Sequence, residues 1–272
     1  MLLLLDNFEH LLSGVDVVSD ILQAAPGVKA LVTSRVVLNV GGEELLPVPG
    51  MEYPQDQTSD AWKTSEVSRY SAVQLFIQAA RRVRPGFEPT SEELGQVVEL
   101  CRLVEGMPMA LLLAAAWMRV LSPAEIAAEV RGSLDFLAAE QRDLPERQRS
   151  MRAAFDHSWR LLSEREQRVF AALSVFRGGF TRAAVLEVAG ATLRDLMGLV
   201  NQSLLLRAPG PSTGESGRYE IHELLRQYAQ EKLHESLAVE QQVRDRHCAY
   251  YAAQSGQWEA DLQVARRAEA LA

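Results

Sequence analysis

Cysteine is scarce. The 272-residue chain holds two, Cys101 and Cys248. They lie far apart and fit no metal-ligand spacing, so no disulfide framework or zinc ribbon is encoded and both read as reduced, cytosolic thiols. An excess of basic charge is also missing. Lys plus Arg is 28 and Asp plus Glu is 36, a net charge of -8, which excludes a chain-wide basic surface for nucleic acid and leaves room only for a local patch. Long apolar runs are absent too. The opening MLLLL stops at Asp6, with no basic flank and no small-residue cleavage site. Met107 to Leu121 is interrupted by Arg119 and falls short of the roughly 20 residues that span a bilayer. The expectation is a soluble, cytoplasmic protein with no membrane contact. No internal repeat occurs, and no Ser/His/Asp or Cys/His grouping stands in a recognisable catalytic context. His157 and Trp159 read as core and surface positions of a helix, and Arg81, Arg82 and Arg84 as a solvated helix end.

What is present is an ordinary folding composition, 47% hydrophobic and 24% charged, with length for about two domains at roughly 150 residues each. Residues 1–50 alternate strand and helix signals. Leu2 to Leu5 form an apolar run, as a parallel strand buried on both faces would. Leu11, Leu12, Val15, Val18, Ile21 and Leu22 recur at helical spacing over 9–24, and Pro26-Gly27 stops that helix. Lys29 to Thr33 reads as a second buried strand. Two strands are few for a stable open sheet, so this stretch reads as part of an α/β domain. Residues 51–68, rich in Pro, Asp, Ser and Thr, read as a linker.

A helical bundle is expected over 69–143. Val73, Phe76, Ile77, Ala80 and Val83 share one face. Thr90 with Glu93 and Ser122 with Glu125 make capping boxes. Gly106-Met107-Pro108 breaks the chain before a nearly all-apolar helix. From 144 to 238 come helices over 149–162, from Ser163 through Phe176, from Thr181 to about Ala189, and over 192–201. Strand signals follow at Ser203 to Arg207 and Arg218 to His222, around a Pro/Gly/Ser-rich loop, and then a helix over 223–237. Three helices followed by a hairpin is a winged-helix pattern. A polar helical tail, 239–272, closes the chain. The fold class is mainly α with a partial α/β piece: a truncated P-loop-type parallel sheet, a helical bundle and a winged helix.

Four places offer chemistry. Asp6 sits at the carboxyl end of a buried strand, where ligands of open α/β sheets bind. A carboxylate there either holds Mg²⁺ beside phosphates or merely ends the strand and caps the next turn. Arg35 follows the second strand on the same edge; it either meets a terminal phosphate or stays a surface arginine. Gly106 and Pro108 either join two helices or also wall an adenine ring. His222, between strand and helix, is either a structural histidine or a neutral donor to phosphate.

Together, LLLLDNFEHLL, LVTSR, EGMPMALLLAAAWMRVL, LSVFRGGFT and YEIHELLRQYA occur in one order over residues 1 to about 250. In that order and spacing the chain resembles STAND-type, NB-ARC-like regulatory ATPases, in particular the modules of bacterial AfsR/SARP-type and LuxR-type transcriptional regulators. The resemblance implies that Asp6 is the Walker B aspartate and metal holder, Arg35 the sensor 1 arginine, Pro108 the GxP proline near adenine, and His222 the histidine that contacts the ADP β-phosphate. It implies ADP or ATP with Mg²⁺ as cofactor. Two departures stand out. Glu223 replaces the usual Asp after His222, and Asn7 stands where many relatives carry a second acid. A third is larger: no G-x-x-x-x-G-K-[ST] occurs, nor any Gly-Lys pair. In the family that loop lies upstream of the Walker B strand, and it supplies the N–H nest and Lys that cradle phosphates.

The implied function is a signalling switch with weak or absent nucleotide binding and no significant ATPase activity. An adaptor that works through protein partners or self-association, independent of nucleotide, is the alternative. Direct DNA binding is not expected. The candidate recognition helix TLRDLMGLVNQ carries only Arg194, beside Asp195, and residues 160–235 hold about ten basic and nine acidic side chains, whereas a groove reader presents a basic face.

Overall fold

The computed structural model describes residues 1–55, 67–138, 149–208 and 217–270, with side chains through 256. Most of the expected linker, the expected domain boundary at residue 144 and most of the Pro/Gly/Ser-rich loop fall outside them. The described residues hold eleven α-helices, one two-stranded parallel sheet and one three-stranded antiparallel sheet, so the chain is mainly α with a small α/β piece. It divides into two compact units, Met1–Leu161 with Val200–Leu204, and Leu162–Leu199 with Leu205–Ala272.

In the first unit β1 (Leu2–Leu5) pairs in parallel with β2 (Lys29–Val32), in the register Leu2↔Lys29 to Leu5↔Val32. The expected burial on both faces is not observed. Leu2 and Leu4 are exposed, Leu3 and Leu5 half-buried. With only two strands and side chains alternating across the pleat, one face of the pair is covered and the other is left open. The helix expected over 9–24 begins late. Residues 8–10 and 12–14 form two 3₁₀ turns, and α1 runs only over Val15–Ala24. Asn7 has left-handed backbone angles, and the two tight turns that follow it delay the regular helix.

The bundle helices are α2 (Ser71–Val83), α3 (Ser91–Leu103), α4 (Pro108–Ala116) and α5 (Pro123–Gly132). Both capping boxes form: Thr90 with Glu93, and Ser122 with Glu125. Each satisfies donors that a helix start leaves orphaned. α4 starts with Pro108 at its first turn, where a missing N–H costs nothing. It is apolar on nearly all sides and buries Ala110, Leu111, Leu113, Ala114 and Ala115, against α2 among others. Phe76, Leu94, Leu111, Met118 and Ile126 are fully buried and make the core. Trp117 stacks on Phe136 and donates its indole N–H to the Phe136 carbonyl, 3.1 Å. α6 (Met151–Leu161) completes the unit.

The second unit opens on α7 (Glu164–Leu173), capped by the Ser163–Glu166 box. The helix stops three residues before Phe176, where the Ser174 hydroxyl turns back to the Ala171 carbonyl at 2.6 Å. α8 (Arg182–Ala189) and α9 (Leu193–Asn201) follow. The antiparallel sheet has the order β3-β5-β4, with β3 (Phe180–Thr181), β4 (Leu206–Arg207) and β5 (Arg218–Glu220). Both expected strands are shorter than their apolar signals. Ser203 takes positive φ, which delays β4, and His222 leaves β5 to cap α10 (Glu223–His234). The helix of residues 223–237 therefore ends at His234, and α11 (Leu237–Ala270) begins afresh. β3 pairs Phe180 with Tyr219; its two residues carry no period to read.

Candidate functional site

The parallel pair places Asp6 at the carboxyl end of β1 and Thr33 to Arg35 at the end of β2. The turn after β1 is laced to β2. The Phe8 N–H donates to the Thr33 carbonyl at 3.0 Å, and the Asn7 N–H to Thr33 Oγ1 at 3.0 Å. Thr33 Oγ1 in turn donates to Asp6 Oδ1, and Asn7 Nδ2 to Asp6 Oδ2 at 3.3 Å. Asp6 is exposed and both its oxygens accept one bond. A carboxylate oxygen has a second lone pair, so a hard cation, taken directly or through water, fits this position.

Arg35 does not extend along that edge. Its Nη1 donates to the Ala154 carbonyl at 2.9 Å and to Ser158 Oγ at 3.3 Å, both on α6. Its Nε lies 3.9 Å from Glu9 Oε1. Its backbone carbonyl accepts from Ser203 Oγ at 3.2 Å. The guanidinium is thus engaged by one carboxylate and one helix, rather than presented to a phosphate.

Gly106 lies after Glu105, both at positive φ. Its carbonyl accepts from the Met51 N–H at 2.8 Å, and a Cβ there would stand 2.0 Å from the Met51 carbonyl oxygen. The face that the sequence offered to an adenine ring is thus filled by the backbone of Gly50 and Met51. Pro108 is exposed at the start of α4.

His222 belongs to the second unit. Its Nδ1 accepts the Leu224 N–H at 3.1 Å, so it is the N-cap of α10. An accepting Nδ1 leaves the proton of a neutral ring on Nε2, the donor that an anion would need. Glu223 is tied to Arg226 by two bonds of 2.7 and 2.8 Å. Burial pushes the Glu223 carboxyl up, but the bonds and charge of Arg226, with Gln227 and Arg177, outweigh it and hold it below its ordinary value. Arg226 itself is buried and also donates to the Ser174 carbonyl, 3.2 Å, and to Gln230 Oε1, 2.9 Å.

Most of the chain is similar to mycobacterial transcriptional regulators. Proteins of Mycobacterium tuberculosis and Mycobacterium bovis named as HTH-type transcriptional regulators are 36% identical to it over 258 residues, 93% of this chain and 27% of theirs. An uncharacterised M. tuberculosis protein is 32% identical over 246 residues, 87% of this chain and 58% of its own. The chain thus spans about a quarter of the regulators' length. No family profile matches it. Among solved structures, a STAND protein with a tetratricopeptide repeat sensor from Pyrococcus horikoshii overlays on 93% of the chain and 30% of its own, at a TM-score of 0.32 and 15% identity.

One cluster went unread in the sequence. Glu9 is buried, with Oε2 shielded and without a hydrogen-bond partner. His10 follows it on the same 3₁₀ turn, and His157 comes from α6. The two imidazoles meet edge to face with centroids 4.8 Å apart. His157, half-buried rather than in the core, has a buried Nε2 without a hydrogen-bond partner. Burial, His10, Arg35 and Arg160 together keep its ring neutral to lower pH than usual, against the pull of Glu9. The Glu-His pair is visible in the sequence, but nothing in its spacing points to a third residue on a distant helix.

Proposed function

We propose that this chain is the regulatory module of a STAND-type nucleotide switch within a transcriptional regulator, with weak affinity of its own for ADP or ATP. The observation that carries this reading is the 36% identity across 93% of the chain to proteins named as HTH-type transcriptional regulators. The ordered motifs support the nucleotide part of it. Under this reading Asp6 holds Mg²⁺, His222 Nε2 donates to a phosphate, Gly106 and Pro108 line the base, and Arg35 meets a terminal phosphate. Residues 69–143 act as the helical bundle and 144–238 as a winged helix. The switch is a shift between two packings, biased by contacts to phosphate.

Binding is weak for two reasons. No P-loop nest and lysine are present in the sequence. Arg35 must give up the Ala154 carbonyl and Ser158, and the Gly106 face must part from Met51, before either meets a ligand. Those same commitments favour the second reading, an adaptor that works through protein contacts or self-association without nucleotide. Direct DNA binding is disfavoured by α9: Asp195 is buried, and Leu193 and Met197 are 49% and 58% exposed, an apolar face unsuited to phosphate.

The deciding experiment is equilibrium binding of ADP and ATP with Mg²⁺ to the chain, beside His222→Ala and Arg35→Ala. Submillimolar binding lost in both variants supports the switch. No binding to a folded chain supports the adaptor. Micromolar or tighter binding of the unaltered chain overturns the weak-affinity reading. A gel shift at low salt tests DNA binding, and salt-sensitive retention would reinstate it. Light scattering tests self-association, which a monodisperse monomer argues against.

A further inference from the structure

We infer that Glu9, His10 and His157 form a binding site for a borderline transition-metal ion, Zn²⁺ above all, joining the turn after β1 to helix α6. One ligand atom from each of the three lies within 4.8 Å of the others. Two of the three residues carry a buried polar atom that hydrogen bonding leaves unexplained, Glu9 Oε2 and His157 Nε2. A buried carboxylate oxygen and a buried ring nitrogen without partners are costly in a folded protein, and a shared ligand is the ordinary remedy. Glu9 is 5% exposed. Arg35 approaches it at the other oxygen, Oε1, at 3.9 Å, and Oε2 has no hydrogen-bond partner, so Oε2 keeps its lone pairs for an ion.

The donor set selects the metal. Two imidazoles and one carboxylate suit Zn²⁺, Co²⁺ or Ni²⁺, and lack the all-oxygen character that Mg²⁺ and Ca²⁺ require. Ligands at about 2.0–2.1 Å in a tetrahedron sit roughly 3.4 Å from one another. The side chains, up to 4.8 Å apart, must therefore close by up to about 1.4 Å, within reach of their torsions. His10 is exposed, so the cluster opens to solvent on that side. Such an ion stabilises the folded first unit by mass action. The site uses no nucleotide, but it shares Glu9 with Arg35 of the proposed switch.

The test is titration of the chain with Zn²⁺ against a chromophoric chelator, and with Co²⁺ by visible absorption, both without nucleotide. Cys248→Ser serves as background because Cys248 is an exposed thiol. Cys101 needs no change, since burial pushes its thiol up to about 12. One ion per chain is expected, at micromolar affinity or better, with a tetrahedral Co²⁺ spectrum and a rise in Tm. Glu9→Gln, His10→Gln and His157→Gln each weaken it at least about tenfold. His234→Gln and His247→Gln leave it unchanged. His10 is exposed, so of the three its variant disturbs the buried packing least. Failure to bind one ion at these concentrations, or binding that survives His10→Gln undiminished, overturns the site.

Discussion

Arg165 grips Asp195 with two hydrogen bonds, both 2.8 Å, from Nε to Oδ1 and from Nη2 to Oδ2. The pair ties the first turn of α7 to the first turn of α9. Asp195 also accepts the Thr192 N–H at 2.7 Å and the Thr192 hydroxyl at 2.8 Å, closing a capping box in which Asp takes the place of Glu. The hydrogen bonds from Arg165 weigh most, and those from Thr192 add to them against burial, to hold the Asp195 carboxyl far below the usual carboxylate range.

A depressed folded-state pKa means that the unfolded chain binds the proton first. The stability from Asp195 is therefore present above the unfolded value, about 4, and is lost as pH falls through the lower folded value. Asp195→Asn should lower stability at neutral pH by about 1–2 kcal/mol, the scale of a lost cap and charge-assisted bond. It should also flatten the loss of stability below pH ~4. Urea unfolding followed by circular dichroism from pH 7 to pH 3 checks both. Parallel pH profiles for the two proteins would count against the assignment.

His222 caps α10 through Nδ1, whatever else it does. His222→Ala should therefore cost about 1 kcal/mol from the orphaned Leu224 N–H. His222→Asn, which keeps a side-chain acceptor, should recover most of that. Chemical denaturation of the three proteins separates the cap from any ligand role. If Asn restores stability while a measured ADP affinity stays lost, the ring has a second task at Nε2. Equal stability of Ala and wild type would remove the cap.

Legibility in this chain follows the reach of the signal. The boxes at Thr90 and Ser122 are readable because donor and acceptor lie three residues apart. The bundle face over 71–83 was readable in period and slightly off in phase. Phe76, Val73 and Ala80 are buried as expected, but Ala72 and Ala79 are buried where Ile77 and Val83 are only half covered. The helix packs on the lean α4, where small residues let two backbones approach. β3 was unreadable because pairing to a segment far along the chain, not local pattern, makes it a strand. The engagement of Arg35 by α6, of Gly106 by Met51 and of Arg165 by Asp195 was hidden for the same reason: each partner is distant in sequence.

That shift in phase gives a packing test. Phe76→Ala should destabilise the first unit by about 3–5 kcal/mol, since the ring is fully buried and its removal leaves a cavity. Ile77→Ala, at a half-covered position, should cost clearly less, about 1–2 kcal/mol by the area it removes from water. Thermal unfolding of both variants decides it. Equal losses would mean that the two residues share the core alike, as their spacing first suggested.

Gly106 and Gly86 separate backbone strain from crowding. Both take positive φ, +67° and +79°, a region that costs an L-residue roughly 1–2 kcal/mol. A Cβ on Gly86 meets nothing within 4 Å, whereas one on Gly106 would strike the Met51 carbonyl at 2.0 Å. Gly86→Ala should therefore lose only the conformational cost, about 1 kcal/mol. Gly106→Ala should lose that and the Met51–Gly106 hydrogen bond as well, more than about 2 kcal/mol in all. The comparison also bears on function, because the segment that crowds Gly106 is the one that fills its candidate ligand face. If Gly106→Ala is no worse than Gly86→Ala, the Gly50–Met51 segment yields readily, and the face is open to a ligand after all. A large gap, read by urea titration of both proteins, means that the segment is fixed and that Gly106 serves the fold.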